Sequence, residues 1–250
     1  MKIKIINPNT CLEMTHSIEI CAKKYANPGT EIIAVSPERG PITIEDYYDE
    51  ALATVGVMEE IRKGQIEGFD GYITACFGDP GLFQGRELCD VPVVGIAEAS
   101  LFMACMLGYK FSIISILERF KAPMEELVKK YGIEDRCASV RCTDVPVIEF
   151  EKDKTKGEKA LYKAGKDAVE IDGAEVLCLG CAGMVGFDEV LEKKLGIPVI
   201  DPVAAAVKFI EGIIGYGKKT SKIMTFRYPE QKEVIGFPDT LKFNFNNKIR

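Results

Sequence analysis

Short runs rich in isoleucine and valine alternate along the chain with amphipathic stretches of helical length, and this rhythm narrows the possible folds more than any other feature. The runs predict strands over residues 2–6, 31–35, 71–75, 91–96, 111–116, 138–143, 174–179 and 199–201. The stretches between them predict helices over residues 10–25, 46–63, 82–87, 99–107, 122–131, 156–172, 187–195 and 203–214. Strict alternation calls for parallel sheets with helices on both faces, because each parallel connection must cross over the sheet. The expected class is α/β, with ligands held beyond the carboxyl ends of the strands.

The rhythm also repeats at a longer period. Asp70-Gly-Tyr-Ile-Thr-Ala-Cys76-Phe-Gly78 is echoed by Gly173-Ala-Glu-Val-Leu-Cys-Leu-Gly-Cys181-Ala-Gly183. Pro92-Val-Val-Gly follows Cys76 by 16 residues, and Pro198-Val-Ile-Asp follows Cys181 by 17. Upstream, Asn7 precedes Cys76 by 69 residues and Ser115 precedes Cys181 by 66. Agreement at three landmarks predicts two pseudo-symmetric Rossmann-like lobes, each with a central parallel sheet flanked by helices, and an active site in the cleft between them. Residues 1–98 plus 208–250 are assigned to the first lobe, which carries Cys76. Residues 99–207 form the second, which carries Cys181.

Each of these cysteines falls at the carboxyl end of a strand, at or just before a helix N-terminus, where unpaired main-chain N–H groups favour an anion. That setting lowers a thiol's pKa from about 8.5 toward neutrality and makes it a usable general base. If the lobes face each other, Cys76 and Cys181 approach one substrate carbon from opposite sides. One thiolate then takes a proton from a carbon beside a carbonyl, and the other thiol returns one to the opposite face. Cys178-Leu-Gly-Cys181 also reads as C-x-x-C, but Cys178 lies inside a strand, which argues against a dithiol redox pair. With one histidine, His16, and no second cysteine pair, a zinc site lacks ligands. The default for the other cysteines is a small core residue. Asn9 reads either as a helix cap or as a polar group at the cleft rim. Ile44 lies in a loop that lines the mouth or merely connects two elements, and Ser115 stands where Asn7 stands in the other lobe.

Net charge is −6, with 38 acidic residues against 32 scattered lysines and arginines, which speaks against a nucleic-acid partner. No G-x-G-x-x-G order or P-loop appears. The first residues form no export signal, and the uncharged stretch 99–109 is too short to span a bilayer. A cytoplasmic protein with reduced thiols, a small-molecule partner and no metal or membrane contact is expected.

Six motifs, in order, resemble the hydantoin/allantoin racemase branch of the aspartate/glutamate racemase superfamily. They are Ile6-Asn-Pro-Asn-Thr10, Gly40-Pro41 with Ile44-Glu45-Asp-Tyr-Tyr-Asp-Glu50, Ala75-Cys-Phe-Gly-Asp-Pro-Gly81, Pro92-Val-Val-Gly-Ile-Ala-Glu-Ala99, Leu179-Gly-Cys-Ala-Gly-Met184, and Pro198-Val-Ile-Asp with Ala204-Ala-Ala-Val207. The resemblance implies a cofactor-independent two-base mechanism, an assembly of identical subunits, and Cys76 and Cys181 as the acid/base pair. It further implies a substrate pocket lined by Asn9, Phe77, Gly78, Gly180, Ala182, Gly183 and Met184. Three departures stand out. Ser115-Ile116 replaces the family's Thr-Thr pair, Pro202 replaces a glycine, and the tail from Ile223 is longer and unlike the family. Losing a hydroxyl at residue 116 bears on substrate choice. Racemisation of aspartate- or glutamate-like amino acids, decarboxylation or isomerisation of small diacids, and non-catalytic sensing are the alternatives on the same scaffold.

Overall fold

The computed structural model describes residues 1–242, apart from the side chains of Ile148 and Glu151. The first half runs β1 (Lys2–Ile6), α1 (Leu12–Tyr25), β2 (Glu31–Val35), α2 (Tyr47–Glu67), β3 (Gly71–Thr74), α3 (Leu82–Leu88), β4 (Val93–Gly95) and α4 (Ile96–Leu107). The second runs β5 (Phe111–Ser115), α5 (Lys121–Lys130), β6 (Cys137–Cys142), α6 (Val147–Lys152), α7 (Lys154–Glu170), β7 (Val176–Leu179), α8 (Asp188–Leu195), β8 (Val199–Ile200) and α9 (Pro202–Gly215). Every strand and helix expected from the rhythm is present. The helix α6 was not expected.

Two four-stranded parallel sheets result, in the orders β2-β1-β3-β4 and β6-β5-β7-β8. The two orders are identical once β1 is matched to β5, so the lobes repeat in three dimensions. In each, the chain leaves the first strand toward one edge and returns on its other side. The carboxyl ends of β1 and β3, and of β5 and β7, therefore flank the point where strand order reverses, the place where open α/β sheets leave a crevice.

The central strands β3, β5 and β7 are buried along their whole length, as continuous apolar runs between helical layers must be. Lys4 interrupts β1 but is neutralised on the spot, with Nζ 3.0 Å from the Glu60 carboxylate of α2. Asp46 caps α2 by accepting the Asp49 N–H at 2.9 Å, which fixes where that helix starts. Pro202 takes the first turn of α9, where its missing N–H costs nothing, while Asp201 caps the helix through Val203 and Ala204. The glycine-to-proline departure is thus absorbed as a helix start. The described part of the tail lies against the first half. Lys222 Nζ donates to the carbonyls of Arg86 and Glu87, Phe226 packs on Phe83, and Arg62 donates to the Thr240 carbonyl. Residues 243–250 of the expected first lobe lie outside the described residues. No helix among the described residues is long and apolar enough to cross a membrane.

Contacts tie the halves together around the cleft. Arg119 pairs with Asp46 at 3.0 Å, Tyr47 donates to Glu126 at 2.8 Å, and Tyr131 donates to Asp79 at 2.6 Å.

Candidate active site

Both strands that lead to the singled-out cysteines end in the same way. The Ala75 N–H donates to the Ile6 carbonyl at 2.8 Å, and the Gly180 N–H donates to the Ile114 carbonyl at 2.8 Å. Next comes the cysteine, then a tight turn closed from the residue three further on. Asp79 N–H reaches the Cys76 carbonyl at 2.9 Å, and Met184 N–H reaches the Cys181 carbonyl at 3.0 Å. The Cys181 sulfur accepts the Gly183 N–H, two residues ahead, at 3.4 Å, and the Gly78 N–H holds the matching place beside Cys76, where it favours the thiolate. A Cβ at Gly180 would lie 2.8 Å from the Ile114 carbonyl oxygen, so this approach requires glycine.

The two turns meet across the cleft and enclose one cavity of about 30 Å³. It is lined by Asn9, Met14, Ile44, Ala75, Cys76, Phe77, Ile116, Phe120, Val147, Gly180, Cys181 and Ala182. Eight of the residues singled out from sequence therefore come together. The other four stand behind the wall. Gly183 donates its N–H to the Cys181 sulfur, Gly78 holds the matching place beside Cys76, Met184 is fully buried, and Ser115 is fully buried with no hydrogen-bond partner for its hydroxyl. Met14, Ala75, Phe120 and Val147 were missed. Met14 is legible as the start of the buried stripe Met14, Ile18, Cys21 and Ala22 on α1. Val147 would have followed from extending the internal repeat to the helix after the second strand of each lobe.

Asn9 is the polar side chain at the wall, and its orientation is fixed. Its Oδ1 accepts from Asn7 Nδ2 at 2.8 Å and from the Cys11 N–H at 2.9 Å. Its Nδ2 is left facing the Met14 sulfur at 3.3 Å, a poor acceptor. The observed start of α1 has Cys11 as its cap residue without a side-chain bond. Asn9 thus steadies the turn and also faces the cavity.

The electrostatics depart from the sequence expectation. Packing around the Cys76 thiol pushes its pKa well above the ordinary thiol value, with Cys181, Glu50 and Asp79 adding to the rise and the Gly78 N–H opposing it. Burial outweighs the turn's N–H groups here. Asp79 is itself buried and pushed up to about 7, against the bonds it accepts from Tyr131, Glu98 and Ala97. Cys178 is fully buried inside β7, with Sγ 3.7 Å from the Ser100 carbonyl oxygen. His16 is exposed on α1. Among the described residues, no group of three His, Cys, Asp or Glu side chains gathers to hold a metal ion.

Two parallel α/β lobes facing one cleft are also the fold of solved racemases. The profile of the Asp/Glu/Hydantoin racemase family matches residues 3–210, and the chain belongs to that family. It is 53% identical to a hydantoin racemase of Pseudomonas sp. (strain NS671) over 236 residues, 94% of this chain and 95% of the relative. The solved allantoin racemase from Klebsiella pneumoniae superposes with a TM-score of 0.92 at 42% identity, covering 94% of this chain and 96% of that one. The allantoin racemase from Pseudomonas fluorescens gives the same TM-score at 38% identity, covering 94% and 100%. The protein is a racemase, and the two-lobed α/β fold expected from the repeat is the family's fold.

Proposed function

We propose that this racemase interconverts the antipodes of a neutral five-membered cyclic ureide, a 5-substituted hydantoin or allantoin, by passing protons between Cys76 and Cys181. One thiolate removes the proton from the ring carbon beside the carbonyl. The negative charge moves onto that carbonyl oxygen as an enolate, and the opposite thiol protonates the other face. Asn9 Nδ2 exchanges its weak sulfur contact for this oxygen, a type of donor worth roughly 3–4 kcal/mol in comparable oxyanion sites. Ile44, Phe77, Ile116, Phe120 and Val147 exclude water and hold the 5-substituent. The proposal retains a homo-oligomer in the cytoplasm, with a small-molecule substrate and no cofactor.

One observation carries the reading: sulfurs from opposite lobes line the same cavity. The substrate class rests on the wall and on the relatives. Among the described residues lining the cavity there is no Lys, Arg or His, so nothing there compensates the carboxylates of aspartate, glutamate or a malonate. A neutral ring suits it better. Hydantoin and allantoin racemases are also the proteins to which the chain is similar along most of its length.

Polarimetry with a 5-monosubstituted hydantoin and with allantoin in D2O tests the proposal. Cys76→Ser and Cys181→Ser should each lower racemisation by at least about 100-fold, the scale of losing a positioned acid or base. Full activity in both single variants would overturn the two-thiol mechanism.

A further inference from the structure

The two cysteine turns share their closing hydrogen bond but not what surrounds them. In the first lobe the glycine beyond the cysteine, Gly78, lies under a carboxylate: a Cβ placed there would sit 3.3 Å from both Cδ and Oε1 of Glu50. In the second lobe the matching glycine, Gly183, lies under a hydrocarbon, 3.1 Å from Val147 Cγ1. The difference is built by corresponding helices, since Glu50 lies in the first turn of α2, after β2, and Val147 opens α6, after β6. One residue further along each turn the contrast recurs, with Asp79 in one lobe and Met184 in the other, both buried. Carboxylates thus stand around one sulfur at places where the other has apolar side chains.

Glu50 is half-buried, and no hydrogen bond to its carboxylate is formed among the described residues. Asp79, by contrast, is fully engaged by Tyr131 and the first N–H groups of α4, which assigns it to fastening that helix. Burial raises the Glu50 pKa and Lys130 of α5 draws it back, while Tyr47 on α2 feels its charge. The groups whose charge reaches the Cys76 thiol are Cys181 across the cavity, Glu50 on α2 and Asp79 in its own turn.

We propose that Glu50 is a positioning residue of the racemase, which acts through Cys76 and biases the single proton shared by the thiol pair toward that sulfur. When two thiols share one proton, their titrations belong to the pair, and a negative charge beside one member draws the proton there. The free enzyme then rests with Cys76 protonated as the donor and Cys181 as the base. This extends the two-thiol reading of the site and relies on it for catalytic meaning, though not for its test. Because the antipodes have equal free energy, kcat/KM is the same in both directions whatever the bias, so the bias must be read on the thiols.

The experiment is labelling of the folded protein by methyl methanethiosulfonate, with each thiolate displacing methanesulfinate to form a methyl disulfide, across a pH series without substrate. Cys76 and Cys181 are quantified separately by peptide mass spectrometry under non-reducing conditions. Glu50→Gln keeps the side-chain shape and removes the charge. The expected result is a Cys76 midpoint shifted about half a pH unit lower, so that its labelling near neutral pH rises roughly threefold, with Cys181 moving less or in the opposite sense. Lys130→Met, at an exposed position of α5, serves as the second variant. It removes the cation facing Glu50 and should move the Cys76 midpoint upward. An unmoved Cys76 midpoint in both variants, or equal shifts of both cysteines, would overturn the role of Glu50. Loss of thiol dependence in the racemisation assay would overturn the two-thiol mechanism instead, so the two failures are distinguishable.

Discussion

The lobes share strand order, crossover pattern and the turn that presents the cysteine, yet they differ at the positions that touch those turns. Ala75, Glu50 and Asp79 in the first lobe correspond to Gly180, Val147 and Met184 in the second. Backbone repetition delivers two sulfurs to one cavity from opposite sides. Side-chain divergence makes the two sulfurs chemically unequal. On the two-thiol reading proposed above, the first property lets both faces of a carbon be reached, and the second is tolerated or exploited.

Three substitutions put this comparison under strain. The largest effect is expected from Asp79, whose counterpart is the apolar Met184. Its carboxyl is pushed up to about 7 in the fold, above the value of about 3.9 for a free aspartate. The folded state therefore holds a proton that the unfolded state has lost between about pH 4 and pH 7, and stability must fall as pH rises through that window. The slope from this group is on the order of 1.4 kcal/mol per pH unit. Urea midpoints of the wild type should decline from pH 4 to pH 7, and Asp79→Asn should flatten that decline; parallel curves would place the pH dependence elsewhere. Gly180→Ala comes next. It introduces the Cβ that Ala75 carries harmlessly in the first lobe, but at 2.8 Å from the Ile114 carbonyl oxygen. A loss of about 1–3 kcal/mol in chemical denaturation is expected, the usual cost of forcing atoms into a packed site. An unchanged midpoint would mean that β5 and β7 part more easily than their packing implies. The smallest effect belongs to Ile116→Thr, which restores a hydroxyl to the cavity wall. The ratio of kcat/KM for allantoin to that for an alkyl hydantoin should rise about tenfold, measured by polarimetry on both substrates. A fall in that ratio would show that residue 116 does not meet the 5-substituent.

Much of this was legible in the sequence because the signals were periodic. Isoleucine-rich runs such as Lys2–Ile6 and Phe111–Ser115 sit in parallel sheets covered on both faces, so their β-branched apolar residues stand out without any alignment. The similar spacings from Asn7 to Cys76 and from Ser115 to Cys181, 69 and 66 residues, helped to carry the two-lobe reading. Short elements were less legible: α6 spans six residues, and Pro146 ahead of it reads equally well as a loop. The expected lowering of the Cys76 pKa was wrong in direction for a physical reason. A strand end beside a turn can be recognised from residue order, but the closeness with which the opposite lobe packs onto the thiol cannot. Gly78, Gly183 and Met184 were recognised as part of the site, yet they stand one layer behind the cavity, because each turn shows the cysteine and its two immediate neighbours to the cleft and folds the residues after them away from it.

The repetition of β2-β1-β3-β4 as β6-β5-β7-β8 within one polypeptide has an evolutionary consequence. In an enzyme built from two copies of a half-length chain, every mutation near one sulfur is duplicated near its mate, and the two must stay alike. Tandem halves are free of that constraint: a glutamate can arise beside one thiol and a valine beside the other, each inherited separately.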